Sequence, residues 1–166
     1  MAGLALLLLS TVTGREVFGE TNMKNNVSYN SVTGLKYRDA DHKLVYGDDD
    51  PVLQFGLLWI PANLAADALA PLVIFIHGGC WLNAYDITHS HALSSALAEA
   101  GYAVWSLEYR RTGDKGGGWP GSFEDIKQGL AFVPKLGGFP LDLERVVIAG
   151  HSACLLYTSP SPRDKF

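Results

Sequence analysis

Two short apolar runs, each followed by a loop of small residues, constrain the fold of this chain more than any other feature. Residues 72–76 (Leu-Val-Ile-Phe-Ile) lead into His-Gly-Gly-Cys-Trp at 77–81, and residues 145–149 (Arg-Val-Val-Ile-Ala) lead into Gly-His-Ser at 150–152. Runs of about five apolar residues with many β-branched side chains are typical of strands buried on both faces. The sequence therefore predicts two central strands whose carboxyl ends carry tight turns.

Helical and strand patterns alternate along the middle of the chain. Apolar residues recur at helical spacing over 90–100 and again from Ser122, where Asp125 completes a predicted capping pair. Residues 102–107 have the composition of a strand, and residues 53–60 predict an earlier one. Strands that alternate with helices form βαβ units. We therefore expect an α/β fold with a mostly parallel sheet and flanking helices.

The first 33 residues differ in composition from the rest. Residues 4–9 are apolar but far shorter than the roughly 20 residues that span a bilayer, so no stable membrane span is predicted. The run resembles the apolar region of a secretory signal peptide, although the first basic residue is Arg15. It favours a secreted or periplasmic protein, and the alternative is a cytoplasmic protein with this segment packed on the domain. Residues 15–33 predict a polar arm.

The predicted domain covers residues 34–154, and residues 155–166 have a different character. Pro160 and Pro162 stand where an α/β fold would need a helix, and the tail shows no periodicity. We therefore expect the domain to be truncated after the second loop. The strand over 145–149 would then lack a neighbour, which predicts an exposed edge, exposed apolar surface and aggregation.

Charge and cysteine content exclude several classes of protein. The formal net charge is −4 and no long basic run occurs, so binding to nucleic acid has no electrostatic support. Cys80 and Cys154 are too few for a disulfide framework. His89 and His91 are two residues apart, a spacing that does not place both on one helical face, so no metal site is predicted. No organic cofactor is implied.

The loop after the second strand carries a pattern with chemical meaning. Residues 150–154, here called the elbow, match G-x-S-x-G at four of five positions, with Cys154 in place of the last glycine. A sharp strand-to-helix turn exposes the central serine and points the next backbone N–H at a substrate oxygen. Ser152 is therefore the candidate nucleophile and Ala153 a candidate donor to an oxyanion. His151 is a candidate pocket residue.

The loop after the first strand supplies complementary chemistry. In residues 77–81, here called the glycine loop, small residues let backbone N–H groups approach a ligand closely. Donors fixed in this way stabilise the negative charge that develops on a carbonyl oxygen, each by about 2.7–4 kcal/mol. Gly78, Gly79 and Cys80 are the candidate donors, and Trp81 is a candidate wall of the substrate pocket.

A glycine loop, a βαβ unit and then an elbow follow one another in the order of the α/β-hydrolase superfamily, which this chain resembles. The likeness is to the HGGxW branch of esterases, related to feruloyl and acetyl esterases and to kynurenine formamidase. It rests on the two loops and on residues 108–111 (Glu-Tyr-Arg-Arg), within residues 35–153. It implies a serine hydrolase that acts on small carboxylic esters through an acyl-enzyme. It also implies that His77, Arg110 and Arg111 support the loops.

The resemblance further implies an acid and a histidine after the nucleophile. Fourteen residues follow Ser152, none is histidine, and Asp164 is the only acid among them. A serine hydroxyl is a weak nucleophile without a base, so we expect the 166-residue chain itself to be inactive. Two other functions stay open: an amide or formamide hydrolase of the kynurenine formamidase or peptidase type, and a non-catalytic α/β-hydrolase-like binding protein.

Overall fold

The computed structural model describes residues 21–22, 27–29 and 34–157. Most of the predicted N-terminal segment and the end of the predicted tail lie outside the described residues. The strands are β1 (Thr21–Asn22), β2 (Val27–Tyr29), β3 (Lys36–Arg38), β4 (His42–Val45), β5 (Phe55–Trp59), β6 (Ala70–Ile76), β7 (Ala103–Leu107) and β8 (Leu141–Gly150). The helices are α1 (His91–Glu99) and α2 (Gly121–Ala131), with 3-10 helices at Ile87–Ser90, Val133–Gly138 and Ser152–Tyr157.

Six strands form one mixed sheet in the order β1-β4-β5-β7-β6-β8, and β2 pairs with β3 in a small second sheet. β6 pairs in parallel with both β7 and β8, as the βαβ pattern predicts. β1, β4 and β5 are antiparallel to their neighbours, so the expectation of parallel pairing holds for the strands that carry the two loops. β4 and β5 are joined by a short connection, which only antiparallel neighbours can share.

Helices cover both faces of the sheet, as the sequence predicts. Successive side chains of a strand point to opposite faces. One apolar cluster contains Ile74 and Trp105 of the sheet together with Ile126 of α2. The cluster on the other face contains Phe75 of the sheet and Ala98 of α1. No helix in the described part of the chain is long and apolar enough to cross a membrane.

The start of α2 differs from the prediction. The helix begins at Gly121 behind Pro120, and Ser122 and Asp125 do not form a capping pair. Asp125 is fully buried, and its carboxylate accepts hydrogen bonds from Arg110 Nε at 2.9 Å and Nη2 at 2.6 Å. The Ser122 hydroxyl donates to the Arg110 carbonyl. A buried guanidinium needs a paired carboxylate, and this long-range contact replaces the local cap.

β8 lies at the edge of the described sheet, in agreement with the predicted exposed edge. The expectation that this strand is buried on both faces is wrong, because Val146, Val147 and Ile148 are 36, 62 and 39% exposed. Within residues 34–157, β8 pairs with β6 alone. The apolar clusters of both faces are built mainly on β5, β6 and β7. Leu141 at the start of β8 joins one of them, but the side chains of residues 144–148 are left near water.

This open edge predicts self-association of the chain. An apolar edge strand with unpaired backbone groups is a template for a second strand, and a lysine on such an edge opposes pairing. We expect Val147→Lys to raise the monomer fraction in sedimentation velocity at micromolar concentration. The control is Val52→Lys, because Val52 is 72% exposed but lies in a turn. Equal association of the two variants would contradict the prediction.

Candidate active site

Three loops meet at one edge of the sheet because the ends of three strands are level. Ile76 of β6 is paired with Leu107 of β7 on one side and with Gly150 of β8 on the other. The His151 backbone N–H then donates to the Ile76 carbonyl at 3.1 Å. The glycine loop, residues 108–118 and the elbow therefore start side by side.

Ser152 has the backbone geometry of a nucleophile elbow. Its φ is 55°, in the left-handed region, and its side chain is exposed. This conformation costs a non-glycine residue roughly 1–2 kcal/mol and is found where a structure positions a side chain for function. A 3-10 helix begins at the same residue, so the strand-to-helix turn expected from the sequence is present.

Gly78 makes the closest approach between the two loops. A Cβ atom placed on Gly78 would lie 2.7 Å from the His151 carbonyl oxygen, 2.8 Å from His151 Nδ1 and 2.9 Å from Ser152 Cβ. Real Cβ atoms essentially never come so near, so the glycine loop touches the elbow only because position 78 has no side chain. The structure thus brings together residues that are far apart in sequence and that were predicted to share a site.

The glycine loop continues through three left-handed residues. The φ angles of Gly79, Cys80 and Trp81 are 129°, 52° and 62°. Two of these residues carry side chains, so the loop is strained by roughly 1–3 kcal/mol at each of them. Hydrogen bonds hold it in place: the Thr112 N–H donates to the Trp81 carbonyl at 2.7 Å, and the Asn83 N–H donates to the Thr112 carbonyl at 3.1 Å.

A buried carboxylate, Glu108, connects the glycine loop to the 3-10 helix at Ile87–Ser90 and to the segment after β7. It is 2% exposed and follows β7 directly. Its Oε1 lies 3.0 Å from His77 Nε2 and accepts from the Tyr109 N–H at 2.9 Å, and its Oε2 accepts from the Ile87 N–H at 2.9 Å. The Arg111 guanidinium lies 3.4 Å away and balances its charge. In the sequence, Glu108 stands out only as part of the motif at residues 108–111, and no pattern indicates this role.

His77 is a support for the glycine loop, as the resemblance implied. Its Nδ1 contacts the Gly78 carbonyl at 2.8 Å and its Nε2 contacts Glu108. Both ring nitrogens are thus occupied, and neither is left for the Ser152 hydroxyl. Within the described part of the chain, no histidine or carboxylate forms a hydrogen bond with Ser152.

The two arginines are also fixed by structural contacts. Arg110 pairs with buried Asp125, and Arg111 lies 3.3 Å from Asp114 and donates to the Tyr85 carbonyl at 2.5 Å. Both side chains are buried or nearly so, and each ties the 108–118 segment to its surroundings. This agrees with the expected scaffolding role.

The remaining predicted residues lie around Ser152 with different degrees of exposure. Cys80 and His151 are exposed and Ala153 is half-buried. The Trp81 ring packs against the Tyr109 ring, with centroids 6.1 Å apart, so much of this side chain faces the core. The spacing of His89 and His91 did not predict that the His89 ring lies 6.1 Å from that of His151.

His89 also lies close to His77, with ring centroids 5.5 Å apart. Burial lowers the pKa of His89, and the neighbouring imidazoles of His77 and His151 act in the same direction. The ring is therefore neutral at neutral pH. In the described residues, no three histidine, cysteine, aspartate or glutamate side chains come together as a metal site would require.

The chain is similar to known proteins that carry esterase names. The chain is 30% identical over 125 residues to Esterase LipC of Mycobacterium tuberculosis, and 34% identical over 117 residues to the isoprenylcysteine alpha-carbonyl methylesterase ICME of Arabidopsis thaliana. These alignments cover 72% and 70% of this chain but only 29% and 26% of the relatives. The chain thus spans less than a third of the length of these curated relatives.

Solved structures show the same fold. Esterase B from Lactobacillus Rhamnosis superposes with a TM-score of 0.58 at 32% identity, over 68% of this chain and 35% of that one. The thermophilic esterase Est2 from Thermogutta terrifontis superposes with a TM-score of 0.59 at 19% identity, over 68% and 41% of the two chains. The BD-FAE family profile matches residues 58–154, which include both loops and the elbow serine. This chain belongs to the BD-FAE family of α/β-hydrolase esterases.

Proposed function

We propose that this protein is a serine hydrolase of carboxylic esters. The observation that carries the proposal is the exposed, left-handed Ser152, in contact with a glycine loop. The esterase names of its relatives support the same reaction. A small-molecule ester is therefore the proposed substrate.

In the proposed reaction, the elbow supplies the nucleophile and the two loops together supply the hydrogen-bond donors. The Ser152 hydroxyl attacks the ester carbonyl carbon, and negative charge develops on the carbonyl oxygen. The backbone N–H groups of Gly78, Gly79, Cys80 and Ala153 are the proposed donors to that oxygen. The alcohol leaves with the proton of the Ser152 hydroxyl, an acyl group stays on Ser152, and water then releases the acid and restores the hydroxyl. Because the backbone is fixed before the substrate arrives, each donor contributes without reorganisation.

Activation of Ser152 needs a base, and His77 is already occupied on both nitrogens. We therefore expect Ser152 of the isolated 166-residue chain to react slowly with electrophiles. The same serine in the full natural protein should react fast.

A fluorophosphonate probe tests this proposal, with mass spectrometry to locate the adduct. We expect a single adduct on Ser152 in the full natural protein, no adduct in Ser152→Ala, and labelling of the isolated chain slower by at least about a hundredfold. The matched control is Ser122→Ala, since Ser122 is buried and binds Arg110. An adduct on another residue, or none in the natural protein, would refute the proposal.

A further inference from the structure

Tyr109 connects the two loops of the site through one hydroxyl group. The residue follows Glu108 on the segment after β7, and its side chain is fully buried. Its hydroxyl donates to the His77 carbonyl at 2.8 Å and lies 3.2 Å from Cys154 Sγ. His77 begins the glycine loop and Cys154 ends the elbow, so a single oxygen atom contacts both.

The direction of each hydrogen bond follows from the chemistry of the groups. A phenol has one proton and can also accept. The His77 carbonyl can only accept, so the phenol proton points to it. The Cys154 thiol is then the donor to the phenol oxygen. Burial raises the pKa of the Tyr109 phenol and that of the Cys154 thiol, so both groups keep their protons.

The bond to His77 fixes the orientation of a neighbouring amide. The His77 carbonyl and the Gly78 N–H belong to one planar trans peptide, so they point in opposite directions. A hydroxyl that holds the carbonyl therefore also aims the Gly78 N–H. The Tyr109 ring stacks on the His77 ring, with centroids 4.5 Å apart and planes 22° apart, and limits rotation of this unit.

The hydrogen bond between Tyr109 and Cys154 holds the end of the elbow. The Cys154 N–H donates to the His151 carbonyl at 3.1 Å, which closes the turn that contains Ser152 and Ala153. Cys154 is also the residue that departs from the G-x-S-x-G pattern. A glycine here would have no side chain, so this contact exists because of the substitution.

We infer that Tyr109 is a positioning residue that couples the glycine loop to the elbow, through the His77 carbonyl on one side and the Cys154 thiol on the other. The inference rests on the proposed function only for its catalytic consequence. Its structural content is a coupling between two loops, and that can be measured without turnover.

The first test is the rate at which Cys154 reacts with N-ethylmaleimide, followed by mass spectrometry. Cys80 is exposed and reacts first, whereas Cys154 is buried and reacts only when the elbow opens. Tyr109→Phe keeps the ring and removes the hydroxyl, so we expect Cys154 labelling to rise about tenfold. The matched control is Tyr46→Phe. The Tyr46 hydroxyl donates to the Glu108 carbonyl at 2.6 Å, and this acceptor lies outside the elbow.

The second test measures whether a substitution at the elbow changes amide hydrogen exchange in the glycine loop. We expect Cys154→Ala and Tyr109→Phe each to raise amide hydrogen exchange of residues 77–81 by about three- to tenfold. The double variant should add little to the larger single effect, because both substitutions break the same link. The free energy of global unfolding should change no more in these variants than it does in Tyr46→Phe.

Three results would overturn the inference. They are Cys154 labelling that rises equally in Tyr46→Phe, loop exchange that is unchanged in Cys154→Ala, and additive effects in the double variant. None of these measurements depends on ester hydrolysis. Absence of a fluorophosphonate adduct at Ser152 would therefore refute the proposed function and leave the coupling standing.

Discussion

Gly78→Ala is expected to reduce fluorophosphonate labelling of Ser152 in the full natural protein by about 100-fold or more. The new Cβ would lie 2.7 Å from the His151 carbonyl oxygen and 2.9 Å from Ser152 Cβ, so one of the two loops must move. Loss of a single aligned oxyanion donor costs about 10²–10³ in rate. Overpacking should also lower the free energy of unfolding by about 1–3 kcal/mol.

Gly138→Ala is the matched control for this substitution. Among the described residues, no atom beyond its chain neighbours and its own helical backbone lies within 4 Å of the position that its Cβ would take. It should leave labelling and stability nearly unchanged. Labelling of Gly78→Ala at the wild-type rate would show that contact between the glycine loop and the elbow is not needed.

Glu108→Ala is expected to lower the free energy of unfolding by about 3–5 kcal/mol, as measured by urea denaturation. Removing one partner of a buried ion pair leaves the other charge uncompensated. Here the Arg111 guanidinium loses one of its two carboxylates and keeps only Asp114, and the Ile87 and Tyr109 N–H groups lose their acceptor. Since small domains have about 5–15 kcal/mol in total, such a loss removes much of the native population.

Glu99→Ala provides the comparison, because Glu99 is exposed at the end of α1. Its effect should stay within about 0.5 kcal/mol. If Glu108→Ala lowered the free energy of unfolding no more than Glu99→Ala does, the contacts of the Glu108 carboxylate would not stabilise the fold as we expect. A double variant with Arg111→Met should recover part of the loss, because it removes a buried charge that has lost one of its two partners.

The parts of the fold that follow from local pattern could be predicted from the sequence. The apolar runs at β6 and β7 and the turns that follow β6 and β8 were identified because strand burial and tight turns constrain residues that are adjacent in the chain. The serine at the turn after β8 was found for the same reason, and its positive φ fits the strained geometry that the motif requires.

Contacts between distant residues could not be predicted in this way. The sequence predicts that Asp125 completes a capping pair with Ser122, yet its carboxylate binds Arg110 fifteen residues away. Glu108 contacts residues 77, 87 and 111. No periodic pattern in the sequence predicts that these residues come together. One signal was available: a carboxylate placed directly after a buried strand lies at the edge where functional loops gather. The exposure of β8 depends on which elements cover it, and a strand pattern does not carry that information.

The order of strands in the sheet has a consequence during protein synthesis. β6 lies between β7 and β8, but β8 is made last of the three. Ribosomes add about 5–20 residues per second, so the roughly 65 residues between β6 and β8 take about 3–13 s to emerge. For that time at least one edge of β6 has no partner strand in the nascent chain. Gly78 also lacks the elbow residues against which it packs in the folded structure. Factors that bind nascent chains would have most to protect in this interval.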